Sequence, residues 1–432
     1  MTVSSSTLQV PSPEGRIEWI DHLRAGTLLL LLWDHSLHAY ADVWGRFHFF
    51  RDLERTGIWD VFYMHDNSVI MPLLFFTFGL FLFPHVQKVG MGAFWKNRFF
   101  KLGVPYILGI PFVVPLLSYP KFHYAENPLM GYGEFWWDVY FAEKIQGGGP
   151  FWVLYCLALF SVIALLIDKI LPFLRPLLGR LMKKAASAPA LSIGVFILIS
   201  MVLLGLGDIL WGAPWWVGFG QIETNGETYL VVVNKILRLF GLQGSRFMLN
   251  ALYFTLGIAL SQARLTYDNG FWKRVSAKWG VWLGLMVLFG AAYIWFSLTY
   301  FDTGAYNDAP HRLVDMGGTW GDAWPLLKES APMTLTRTSL HGIFCTFQVL
   351  FYVSLFHRFM GERTRFWASY TPCAYGIFLL HEIPVIWGQM LLADVQTPSF
   401  IKIVIVGGVG LCLTWAFVAL LRRSALVRKV LG

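Results

Sequence analysis

Apolar runs of about 20 residues recur along this chain, and that recurrence limits its fold more than any other feature. A helical run of this length matches the hydrocarbon thickness of a bilayer. In hydrocarbon each backbone N–H and C=O must find its partner inside the protein, which a spanning helix does within itself. The runs fall near 20–40, 67–87, 99–119, 151–171, 190–212, 246–263, 279–301, 335–357, 372–392 and 400–421. The expected fold is all-α, a polytopic membrane protein of about ten transmembrane helices. Composition agrees: 56% of the residues are hydrophobic and 14% charged, against roughly 25% charged in a soluble domain. Tyr229 to Phe240 is also apolar and reads as a re-entrant or interfacial helix beside the sixth span. Glu134 to Ile145 reads as another interfacial helix, through Phe135, Trp136, Trp137, Val139 and Tyr140.

An even number of spans puts both termini on one side. The Lys and Arg runs gather there: Lys96, Arg98 and Lys101; Arg175, Arg180, Lys183 and Lys184; Lys273, Arg274 and Lys278; Arg422, Arg423, Arg428 and Lys429. Short loops rich in Lys and Arg stay in the cytoplasm, so both termini are expected there. The net charge of +8 is therefore an orientation signal and not a nucleic-acid surface. Residues 1–19 form a polar N-terminal segment, 20–423 the membrane domain and 424–432 a short cytoplasmic tail. Ala39-Tyr40-Ala41 resembles a leader-cleavage site, but the run before it is long for a leader and reads as a retained first span. Cys156, Cys345, Cys373 and Cys412 lie within spans without paired spacing, which indicates neither a disulfide framework nor a zinc site.

The first run, Ile20 to Tyr40, carries Asp21, His22, Arg24, Asp34, His35 and His38. Ionisable groups in a spanning helix are costly and point to function. Arg24 and His35 have ten residues between them, and the eleven steps bring them to within about 20° of one face and about 16 Å apart along the helix. His38 follows one turn later. A cation near one surface and a titratable base toward the other suit a long ligand gripped along its length. Arg98 and Lys101 share a face at the start of the third span, where two cations suit a phosphate-bearing ligand or simple anchoring. His381 and Glu382 lie midway through the ninth span. Adjacent helical residues point about 100° apart, so at most one of them should face a shared site. Gly147 to Leu154 is a glycine-rich loop leading into an aromatic helix start.

In this order, these stretches resemble acyltransferase family 3, membrane enzymes that include O-acetyl- and succinyltransferases of bacterial surface glycans. Asp21-His22-Leu23-Arg24 and His35 are similar to the family's Arg, ten residues, His motif. Phe76-Thr77-Phe78-Gly79, Arg98-Phe99-Phe100-Lys101-Leu102 with Pro105, Phe151-Trp152-Val153-Leu154 and Tyr375 to His381 resemble its further motifs. Lys101 replaces a second Arg, Pro150 a frequent His, and Phe378 a second Tyr. Trp95 to Pro105 also resembles the glucan-modifying branch.

The resemblance implies a multi-pass protein of the bacterial inner membrane with no permanently bound cofactor. Acyl-CoA, acetyl or succinyl, would be the donor substrate, its phosphates near Arg98 and Lys101 and its arm passing Arg24. His35 would act as general base or acyl carrier, and a glycan hydroxyl would arrive from the outer side. Asp21, Asp34, His38, Trp152, Tyr375, His381 and Glu382 would support binding. The chain would finish the transfer itself or pass the acyl group to a separate extracytoplasmic partner. The competing reading is a proton-coupled glycan exporter relaying protons through Asp34, His35, His381 and Glu382. Against it, no repeat relates the two halves, as it does in many transporters.

Overall fold

The computed structural model describes residues 17–47, 50–125, 127–141, 149–211, 219–224, 227–232, 244–300 and 320–431. Among these, seven helices are long and apolar enough to cross a membrane: Gly57–Val89, Met91–Pro120, Gly149–Ile170, Pro189–Ile209, Trp279–Thr299, Trp324–Phe359 and Ser399–Leu421. The other three expected spans are also helical. Glu18–Leu37 is a single helix whose length meets the requirement but whose charged residues dilute its hydropathy. Gly244–Gln262 is polar at its ends, through Arg246, Asn250 and Gln262. The run 372–392 is divided into Ala374–Leu380 and Glu382–Leu391, joined at His381. The first two carry charged or polar side chains that lower their hydropathy, while the third falls short because it is divided into helices of 7 and 10 residues.

Proline sets the interruptions. Pro384 has no N–H for the carbonyl of Leu380, four residues back, so the helix yields beside His381. In the third span, Pro105 leaves the Lys101 carbonyl without its usual donor, and the local turn Phe99–Gly103 widens to a π-helix. The Tyr375 hydroxyl donates to that same carbonyl. Pro115 likewise cannot serve the Pro111 carbonyl, which accepts from the Trp136 indole at 2.8 Å. Trp136 belongs to the short helical segment 132–141, whose Phe135 and Tyr140 are buried while Trp137 stays exposed, as an interfacial helix requires.

One pair of strands departs from the all-helical expectation. Phe219–Thr224 pairs antiparallel with Glu227–Val232. The stretch from Tyr229 is therefore strand as far as Val232 and not helix, in keeping with the β-branched and aromatic run Tyr-Leu-Val-Val. The remainder of that stretch, 233–243, lies outside the described residues.

Gly57–Val89 is the central helix. It crosses Gly244–Gln262 glycine on glycine: a Cβ on Gly79 would fall on the Phe254 carbonyl oxygen, and one on Gly257 on the Phe76 carbonyl oxygen. Without a large hydrophobic drive between helices in lipid, such close backbone approach is what binds them. At the end of the bundle where the first helix finishes, the segments 41–47 and 50–56 fold into a roof. The Asp60 carboxylate accepts from the backbone N–H groups of Asp42, Val43 and Trp44. Both oxygens of Asp52 accept from Lys402 Nζ, at 3.0 and 2.9 Å, and the pair is fully buried.

Candidate active site

Two polar groups occupy the first helix and its surroundings, separated along the helix axis. Glu18–Leu37 runs without interruption, so the one-stripe relation of Arg24 and His35 holds in the fold.

The group around His35 is the denser one. His35 Nδ1 lies 2.9 Å from Glu382 Oε1 and 3.1 Å from His381 Nε2. The expectation that only one of the two adjacent residues could face a common site is corrected here. The His381 backbone keeps helical dihedrals, and it is the reach of the two side chains that brings both to one nitrogen. The His381 ring stacks on the His35 ring, centroids 5.0 Å apart. Its Nδ1 faces the carbonyl oxygens of Phe378 and Ile377 at 2.9 and 3.1 Å. Carbonyls only accept, so Nδ1 of His381 carries a proton and, in the neutral ring, Nε2 is an acceptor. His35 Nδ1 thus faces two acceptors and must carry the proton itself. The lone pair of a neutral His35 sits on Nε2. The His35 side chain remains 18% exposed while that of Glu382 is 7% exposed.

A second histidine–carboxylate pair adjoins. His38 Nε2 lies 2.9 Å from Asp34 Oδ2, and its ring is 5.1 Å from that of His35. His38 sits in the single 3-10 turn that continues the first helix and meets the ring of Tyr63 edge-on at 4.8 Å. Gln389 closes the end of the helix by donating to the carbonyls of His35 and Ser36, at 2.9 and 3.2 Å. Asp34, His35 and His38, and also His35, His381 and Glu382, offer ligand atoms within 4.8 Å of one another, the spacing a metal ion would need.

The second group lies toward the start of the same helix. Arg24 contacts Asp21 at 4.0 Å, and its guanidinium lies 4.9 Å from the centre of the Phe78 ring. Arg98 is within electrostatic reach of Arg24, and Lys101 within reach of both and of Arg422. Tyr375 joins this group through its bond to the Lys101 carbonyl. Of the residues singled out in sequence, the fold thus joins Asp34, His35, His38, His381 and Glu382 at one level, and Asp21, Arg24, Arg98, Lys101 and Tyr375 at the other. Trp152 opens the helix Trp152–Ile170 and is buried in the main apolar core.

Several polar residues near the site escaped the sequence reading. On the central helix, His65 Nδ1 lies 2.7 Å from Asp66 Oδ1, and Asn67 receives Arg246 on both its side-chain and backbone oxygens. His341 stacks on Tyr293 at 4.8 Å, with its Nε2 buried and unpartnered. Gln389 was detectable: it follows Glu382 by seven residues, two helical turns along the same face. Arg246 and Asn67 meet across 179 residues of sequence, which no local pattern reports.

An acyltransferase family 3 model, described as an acyltransferase domain, matches residues 17–419. No curated protein and no solved structure matches the chain.

Proposed function

The chain belongs to acyltransferase family 3 and is a multi-pass membrane acyltransferase; from that premise we propose that it moves an acetyl or succinyl group from cytoplasmic acyl-CoA to a hydroxyl of an extracytoplasmic glycan. The membrane in question is the bacterial inner membrane. The observation that carries the reading is the clamp on His35 Nδ1 by Glu382 and His381. It fixes the tautomer and leaves Nε2 as a base, as the carboxylate does for the histidine of a serine-hydrolase triad. The acceptor hydroxyl gives its proton to Nε2 as its oxygen attacks the thioester carbonyl. The tetrahedral intermediate collapses with cleavage of the C–S bond, and the departing thiolate takes the proton from the His35 imidazolium. Glu382 stabilises that imidazolium while it exists. Such a base contributes about 10²–10⁴-fold in rate.

What supports the donor side is the grouping of Arg98 and Lys101 with Arg24, which lies about three turns from His35 on the first helix. Arg suits phosphate by its planar fork and Lys as a point charge. Asp34 and His38 stand beside His35 toward the roof, where an acceptor from outside would enter.

The test uses the purified full-length chain with labelled acetyl- or succinyl-CoA and a panel of glycans. Acyl transfer that disappears in both His35→Ala and His35→Gln is the expected result, since glutamine keeps hydrogen bonds but takes no proton. Near wild-type turnover by His35→Gln, or proton-coupled glycan uptake without acyl transfer, overturns the proposal.

A further inference from the structure

Far from His35, two cavities meet at one side chain. The first is an apolar groove of about 260 Å³ walled by Phe83, Phe160, Ile167, Leu178, Phe247 and Phe254, with Asp168 beside Arg175 at its edge. The second, of about 330 Å³, is lined by Arg175, Arg180, Lys183 and Gln262, with Pro172, Pro176 and Gly179 completing its wall. Arg175 lines both. No acidic residue lines the second cavity.

The elements explain the arrangement. Leu174–Ser187 is a strongly amphipathic helix. It is held close to the end of Gly244–Gln262 at Gly179, where a Cβ would stand 3.0 Å from the backbone of Gln262. Arg175 is fixed between Asp168, at 3.2 Å, and the ring of Phe83, 5.1 Å from its centre. Among the described residues, neither Arg180 nor Lys183 has a carboxylate within ion-pair distance. Three cations therefore converge on one cavity, Arg175 offset by Asp168, at the mouth of a groove whose other walls are mostly apolar.

We infer that this pair of cavities binds one anionic phospholipid, its acyl chain in the groove and its phosphate among Arg175, Arg180 and Lys183. Charge complementarity selects the occupant. A zwitterionic headgroup brings no net charge to three cations, while each Lys or Arg beside an anionic headgroup contributes about 1 kcal/mol, or roughly fivefold in affinity. The groove supplies the rest by taking a hydrocarbon chain between phenylalanine rings.

Native mass spectrometry of the full chain, equilibrated with equal dioleoylphosphatidylglycerol and dioleoylphosphatidylcholine, tests this. The wild type should retain phosphatidylglycerol in preference. R180Q/K183Q should lower that preference about 25-fold, as two fivefold losses multiply. Ala251→Trp, which fills the groove and leaves the cations in place, should lower retention of phosphatidylglycerol as well. Melting temperature in lipid-free detergent identifies any variant that has failed to fold. Equal retention of the two lipids by the wild type, or wild-type retention by R180Q/K183Q, overturns the inference. Displacement of phosphatidylglycerol by coenzyme A also overturns it, because the basic cavity would then belong to the donor's phosphates.

Discussion

Glu382 and His381 act differently on the same nitrogen of His35. Glu382 brings a carboxylate, which under the proposed mechanism would stabilise a developing imidazolium; His381 brings a neutral acceptor and a stacked ring. Glu382→Gln keeps an acceptor oxygen and drops the charge, so single-turnover rates with labelled acyl-CoA should fall about 10²–10⁴-fold. His381→Phe keeps the stack and loses one hydrogen bond, worth about 0.5–1.5 kcal/mol, so the same measurement should show a loss of roughly threefold to tenfold. Equal losses in the two variants would mean that packing, and not charge, is what His35 requires. At this scale Arg24 and His35 were legible because an uninterrupted helix makes spacing equal to geometry. The joint approach of His381 and Glu382 to His35 was not, since the 100° rule gives the directions in which side chains leave the helix and not how far two long ones reach. Arg246 with Asn67 lay beyond any local pattern.

Among the elements, the ninth span shows how a helix is shaped for its task. Pro384 denies the Leu380 carbonyl a donor, and the loosened turn is where His381 sits. Pro384→Ala should restore that bond, raise the melting temperature and lower turnover, as variants that relax a strained site tend to do. An unchanged melting temperature and rate would assign the bend to packing. The roof offers a second test. Lys402→Ala strands the Asp52 carboxylate in a fully buried position, and breaking one partner of such a pair costs about 3–5 kcal/mol. Denaturation of the single variant and of Asp52→Asn with Lys402→Met should show the double change recovering most of the loss. Ten helical runs could be read from hydropathy, yet three are not long apolar helices: two hold charged or polar groups and the ninth is divided at His381. The strand at Tyr229 was misread because a short apolar run has no period that separates strand from helix.

For the whole molecule, the direction of transfer depends on which faces the loops occupy. In a background lacking the native cysteines, Ser187→Cys should resist an impermeant thiol reagent in intact cells, while Leu129→Cys, in a 95% exposed position, should label. The reverse pattern would reverse donor and acceptor sides. Arg98→Ala should raise the apparent KM for acyl-CoA about tenfold to a hundredfold, as loss of a charge-assisted bond implies; an unchanged KM would leave Arg98 an anchor. The glycine crossing of Gly57–Val89 over Gly244–Gln262 bears on how such an enzyme can move at all. Where backbone rests on backbone, sliding by even a fraction of a residue drives a carbonyl into the neighbouring helix. The crossing thus holds the two helices in one register, a rigid beam at the centre of the bundle. Gly79→Val should therefore cripple assembly and not merely tune rate. Any breathing that admits substrate falls to the parts not riveted to that beam, the proline-weakened ninth span foremost among them.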